Sequence, residues 1–99
     1  MQAYSYKFRN QDHLNEAQDT MLLALLAAEG LFGRCRVRMD AAWAADETIN
    51  VIVIDAQTLV GTAVSLIFTA FLNADIGADA FDVRRVEILA AFVAGEVCR

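Results

Sequence analysis

From Ala56 to Ala74 the chain carries no charged residue. About 17–25 apolar residues span a bilayer, so this stretch must either enter lipid or be hidden by protein. Its flanks are Asp55 and Asp75, with no Lys, Arg or Trp close to either end to act as an interfacial anchor. The segment VIVID precedes it directly and supplies a strand context foreign to a single-span protein. At about 100° per residue, Thr58, Thr62, Ser65, Thr69 and Asn73 fall within an arc of roughly 80°. These features favour a helix starting near Thr58, packed on a sheet with its hydroxyl stripe turned to solvent or to a neighbour, and no membrane partner is expected. The stripe is a candidate contact surface; a merely polar outer face is the plainer account.

The other elements follow from periodicity. Ala3 to Phe8 alternates Tyr4, Tyr6 and Phe8 with Ser5 and Lys7, which predicts a first strand buried mainly on one face. Asn10 or Asp12 can cap a helix with apolar positions at Leu14, Ala17, Met21, Leu25 and Ala28, ended by Gly30 and Gly33. In RCRVRMDAAW, Cys35, Val37, Met39, Ala41 and Trp43 alternate with Arg34, Arg36, Arg38 and Asp40, the pattern of a second strand with one wet face. AADET then turns into INVIVID, whose run from Val51 to Ile54 is continuously apolar, as in strands covered on both faces. After the uncharged helix, Gly77 and the GAD segment precede a fourth strand at Phe81. RRVEILAAFVAGEV returns to helical spacing through Val86, Leu89, Val93 and Val97, or else prolongs the strand to Ile88.

With no proline, repeat or linker, residues 1–99 read as a single domain. The element order is that of a ferredoxin-like βαββαβ sandwich, an α+β fold, with a C-terminal helix or tail. That topology puts the first and third strands in the middle of the sheet. Val51 to Ile54 then requires cover on the face that the two helices leave open. A second copy packed sheet against sheet would supply it, giving a dimeric α+β barrel, and the C-terminal helix folded across that face is the competing solution.

Composition bounds the function. Hydrophobic residues make up 58% of the chain, above the roughly 45–50% of ordinary soluble domains, and the mean hydropathy is +0.40. A small domain hides that much apolar surface more readily with a homodimer mate or another protein partner. A net charge of −5 opposes a phosphate-binding surface, so no nucleic-acid partner is expected. Cys35 and Cys98 have no zinc or disulfide spacing and read as buried or idle thiols. No metal and no cofactor is implied. MQAYSYKFRNQDH lacks the basic and apolar regions of a signal peptide, which gives a cytoplasmic expectation.

No catalytic motif is found, and an enzymatic role is not favoured. His13, with Glu16 three residues on, could move a proton or bind a metal, but a lone histidine near a helix start is usually surface decoration. Asp55, at the end of a strand and beside Thr58 and Thr62, could form a small polar site; a helix cap is the simpler role. Arg34, Arg36 and Arg38, with Arg84 and Arg85 elsewhere, could grip an anion or pair with the thirteen acidic residues. Tyr4, Tyr6, Trp43 and the phenylalanines could line a pocket, although large aromatics at strand positions normally pack.

The segment FLNADIG, Phe71 to Gly77, resembles a stretch of the STAS-like bacterial regulatory domains, in which a short apolar strand ending in Asp is followed by a helix carrying a similar Phe-Leu-Asn and Ile-Gly. The resemblance covers about seven residues. It implies a regulatory module with a parallel central strand pairing, whereas the ferredoxin-like reading requires antiparallel neighbours throughout.

The expectation is therefore a non-catalytic homodimeric binding or regulatory module, with Thr58, Thr62, Ser65 and Thr69, the arginines Arg34, Arg36 and Arg38, or the sheet face as contact surface. The alternative is a cofactor-independent enzyme or small-ligand binder of the dimeric α+β barrel type, with a pocket that contains His13 or an arginine. A STAS-like regulatory domain is the third reading.

Overall fold

The computed structural model describes residues 2–87. Four strands and three α-helices form an α+β unit: β1 (Gln2–Phe8), α1 (Gln11–Phe32), α2 (Arg34–Asp40), β2 (Trp43–Asp46), β3 (Val51–Asp55), α3 (Leu59–Asp75) and β4 (Phe81–Glu87), with a 3-10 turn at Ala78–Ala80 before β4. The sheet order is β2-β3-β1-β4, so β1 and β3 lie inside and β2 and β4 form the edges. All three pairings are antiparallel. The parallel central pairing implied by the STAS-like resemblance is absent from them, although Phe71–Asp75 does lie on a helix, at the end of α3.

The register sorts residues by face. Tyr6 opposes Ile52 and Val83, and Ile54 opposes Tyr4 and Trp43. This face meets the helices. Tyr6, Phe8, Ile52 and Ile54 are buried there against Leu14 and Met21 of α1 and Val60, Val64, Phe68 and Leu72 of α3. The Tyr6 ring meets Phe68 edge-on at 5.0 Å between centroids and 74°, a favoured aromatic geometry. The opposite face carries Ser5, Lys7, Val51, Val53, Asp55, Asp82 and Arg84. Val51 and Val53 are half-buried, so among the described residues the cover expected on both sides of β3 is complete only on the helix side. The C-terminal helix that competed for the other face falls on residues outside those described. Its proposed first turn, Arg84–Glu87, belongs to β4.

Helix α1 starts where its cap is. The Asn10 side chain accepts the His13 N–H at 2.9 Å, satisfying one of the four orphan donors of the first turn. Gly30 does not end the helix but sits inside it. The end is Gly33, with φ +87° and ψ 151°, a conformation essentially restricted to glycine.

The largest correction concerns Arg34–Asp40, which is a helix and not the expected edge strand; β2 is the later segment WAAD. Alternation needs burial to mean a strand, and here it has none: Met39 is 78% exposed, Cys35 is exposed, and only Val37 is buried. Local terms then favour the helix. Arg36 pairs with Asp40 one turn on at 3.6 Å and lies 5.3 Å above the Phe32 ring. The arginine row is consequently dispersed around a helix.

The second correction is the hydroxyl stripe of α3. Its hydroxyls turn largely towards protein, with Ser65 2% exposed and Thr58, Thr62 and Thr69 half-buried, while Asn73 at its far end is exposed. Each hydroxyl has a backbone partner. Thr58 donates to Asp40 O (3.1 Å), Thr62 to Ala56 O (3.2 Å), Ser65 to Gly61 O (3.0 Å) and Thr69 to Ser65 O (2.8 Å). Such bonds remove the need for water, so a small polar row can be buried and the large side chains Leu59 and Leu66 are left outside.

Candidate functional site

Two surfaces result from this packing. The first is the outer side of the helix layer. Both crossover helices lie on one sheet face and follow antiparallel strands, so α1 and α3 run antiparallel. The C-terminal end of α1, α2 and the start of α3 meet at one end, where the Thr58 hydroxyl reaches the Asp40 carbonyl. Leu23, Leu26 and Leu31 of α1, Met39 of α2 and Leu59 at the start of α3 are exposed, as is Leu66 two turns further along α3, Leu66 by 69% and Leu26 by 63%. Isolated exposed leucines are unremarkable, but monomers rarely expose apolar patches beyond a few hundred Å². Asp12, Glu16 and Asp19 occupy the other half of α1, which keeps the leucine end free of their charge.

The second surface is a trough between α1 and edge strand β2. One part, of about 790 Å³, is lined by Gln18, Asp19, Leu22, Trp43, Ala45, Asp46, Glu47 and Thr48. The next, of about 580 Å³, is lined by Leu25, Glu29, Val37, Arg38, Ala41 and Trp43. Trp43 belongs to both and joins them. Helix α1 packs chiefly on α3, leaving the helix-side face of β2 partly uncovered, with Trp43 and Ala45 half-buried. Asp46 sits at the strand end, where hydrogen bonds from the Thr48 hydroxyl and then its N–H hold the carboxyl below the usual carboxylate range.

The remaining sequence candidates are not gathered into one site. His13 is in the first turn of α1 with its backbone N–H on Asn10, and the Glu16 carbonyl accepts from Thr20. Asp55 accepts the Gln57 N–H at 2.8 Å, while Thr58 caps α3 by accepting the Gly61 N–H at 2.9 Å. Arg34 is exposed at the start of α2, Arg36 is engaged by Asp40 and Phe32, and only Arg38 reaches the trough. Arg84 and Arg85 are on β4, the opposite edge of the sheet, with Arg85 5.9 Å above the Tyr4 ring. Among the described residues no cluster of three His, Cys, Asp or Glu is placed to hold a metal. None of the helices they form is long and apolar enough to cross a membrane.

One polar group stands out inside the core. The Tyr6 hydroxyl lies 2.8 Å from Thr69 Oγ1 and donates to the Ser65 carbonyl at 3.2 Å. It adjoins an open cleft of about 360 Å³ between α3 and the β4 side of the sheet. Burial raises its pKa above the ordinary 10.0, opposed by the hydrogen bonds to Thr69 and Ser65. A phenol held neutral and already bonded is a poor base.

Alternation pointed away from the trough, because it assigned the strand to Arg34–Trp43 and so misplaced β2. The signal that could have found it is WAAD followed by ETIN, a short strand entering a turn. No family model, curated protein or solved structure matches this chain.

Proposed function

We propose that this protein is a non-catalytic association module of the ferredoxin-like class that works as a homodimer. The order β2-β3-β1-β4 with antiparallel neighbours and two crossover helices supports the class, with α2 as an insertion between α1 and β2. The observation that carries the association is the outer side of the helix layer, where Leu23, Leu26, Leu31, Met39, Leu59 and Leu66 are each exposed, with Arg34, Arg36 and Arg38 of α2 exposed at one end. A stable dimer buries about 800 Å² per partner, and these side chains would form the apolar centre of an interface of that size. On a chain of net charge −5, a surface away from Asp12, Glu16 and Asp19 and beside the exposed Arg34, Arg36 and Arg38 is where two copies meet with less repulsion. The sheet's far face is less suited, since beside the exposed Lys7, Asp82 and Arg84 it offers Val51 and Val53, which are already half-buried.

Light scattering at roughly 10 μM, a range in which ordinary homodimers are populated, should give twice the monomer mass, and Leu66→Glu or Leu26→Glu should halve it with the circular dichroism unchanged. A monomeric wild type would end this reading. Dissociation by Val53→Glu but by neither leucine variant would replace it with the sheet-to-sheet α+β barrel.

A further inference from the structure

The outer edge of β2 presents unpaired backbone to the trough. The Asp55 N–H donates to the Ala42 carbonyl at 2.9 Å, so these two residues form a hydrogen-bonded antiparallel pair. With Trp43 opposite Ile54 and Ala44 opposite Val53, the alternation turns Ala44 and Asp46 towards β3 and leaves the N–H and C=O of Trp43 and Ala45 pointing outward. Among the described residues no strand takes that edge. The two outward residues stand about 7 Å apart, the two-residue repeat of an extended chain. Their side chains point to the helix side, where Leu22 and Leu25 form the facing wall.

Charge selects the occupant. Asp19, Asp46, Glu47 and Glu29 line the trough against the single cation Arg38. A second copy pairing β2 to β2 would bring the same carboxylates from both sides, which is unfavourable. A cationic chain is attracted by them and by the net charge of −5.

We infer that the α1–β2 trough binds an extended peptide that adds to β2 as a further strand, its apolar side chains alternating with Lys or Arg. Backbone pairing to Trp43 and Ala45 supplies the register. Every second side chain, apolar, enters between Leu22, Leu25 and the Trp43 ring. The intervening basic ones project past the edge towards Asp46 and Glu47. This is the helix-and-edge-strand form of strand addition.

Trp43 is the only tryptophan and serves as the reporter. A capped hexapeptide of alternating lysine and valine, titrated into the full chain carrying Leu66→Glu so that self-association does not contribute, should change its fluorescence saturably. The glutamate-for-lysine peptide, and the lysine peptide N-methylated at the amides that face β2, should each bind about tenfold or more weakly. Ala45→Pro removes an outward N–H without touching the β2–β3 ladder and should weaken binding similarly. The N-methylated probe tests the same bond on unaltered β2 should that variant not fold. Equal binding of the N-methylated peptide, equal binding of the glutamate peptide, or no saturable change up to about 1 mM would each overturn the proposal. Because the titration reads Trp43 and not mass, its failure leaves the homodimer reading standing, and the reverse holds too.

Discussion

Gly61 is the residue on which the strand-to-helix joint depends. It is buried in the first turn of α3, and an added Cβ would overlap the carbonyl oxygen of Asp55. Nothing in the composition of LVGTAVS announces that approach, which exists only because β3 and α3 close on each other over three residues. Backbone must therefore move in Gly61→Ala, and thermal unfolding should show a loss of about 1–3 kcal/mol. Tyr6 makes a pH-dependent contribution. Its folded pKa lies above the ordinary 10.0 because the ring is buried, so the folded state holds the proton more tightly than the unfolded one. The associated stability is complete below pH 10 and falls as pH rises through the folded value. Denaturant titrations between neutral pH and pH 11 should show a steeper decline for wild type than for Tyr6→Phe. At neutral pH the same substitution should cost about 1 kcal/mol, the worth of a typical hydrogen bond.

At the scale of elements, two glycines three residues apart should respond in opposite directions. Gly30 lies within α1 with open space around its Cα, whereas Gly33 takes φ +87° at the α1–α2 joint. Gly30→Ala should stabilise by up to about 1 kcal/mol through helix propensity. Gly33→Ala should destabilise by about 1–3 kcal/mol through backbone strain. Chemical denaturation of both variants checks the pair, and two changes of the same sign would contradict the boundary. These positions also show why sequence reading divided as it did. A cap at Asn10 or Asp12, the stripe from Leu14 to Ala28 and the strand at VIVID were legible because local capping, burial and periodicity agree there. RCRVRMD was misread because its alternation is not matched by burial. The α3 hydroxyls were expected to face solvent or a neighbour because wheel geometry counts side-chain polarity and omits the backbone carbonyls that satisfy them.

For the whole molecule, charge and apolar surface oppose each other in association. The sequence pI is about 4.6, so lowering the pH from neutral towards that value removes the repulsion between copies of net charge −5. Sedimentation velocity should show the proposed dimer strengthening as pH falls towards 5, and raised salt at pH 7 should act in the same direction by screening. A dimer weakened by either change would point to an interface held by ion pairs and not by Leu26 and Leu66.

By itself the sequence determined that the uncharged segment could not remain in water as one span, that VIVID belonged inside a sheet, and that a helix capped by Asn10 or Asp12 followed the first strand. Each follows from hydrophobic periodicity or from local capping, which neighbouring residues express on their own. Only the tertiary structure decided that the Ser/Thr row of α3 turns inward while Leu59 and Leu66 turn out, that Arg34–Asp40 is a helix, and that β2 edges a trough with an acidic rim. Those outcomes depend on which surface another element covers, and burial of that kind is set by residues distant in the chain.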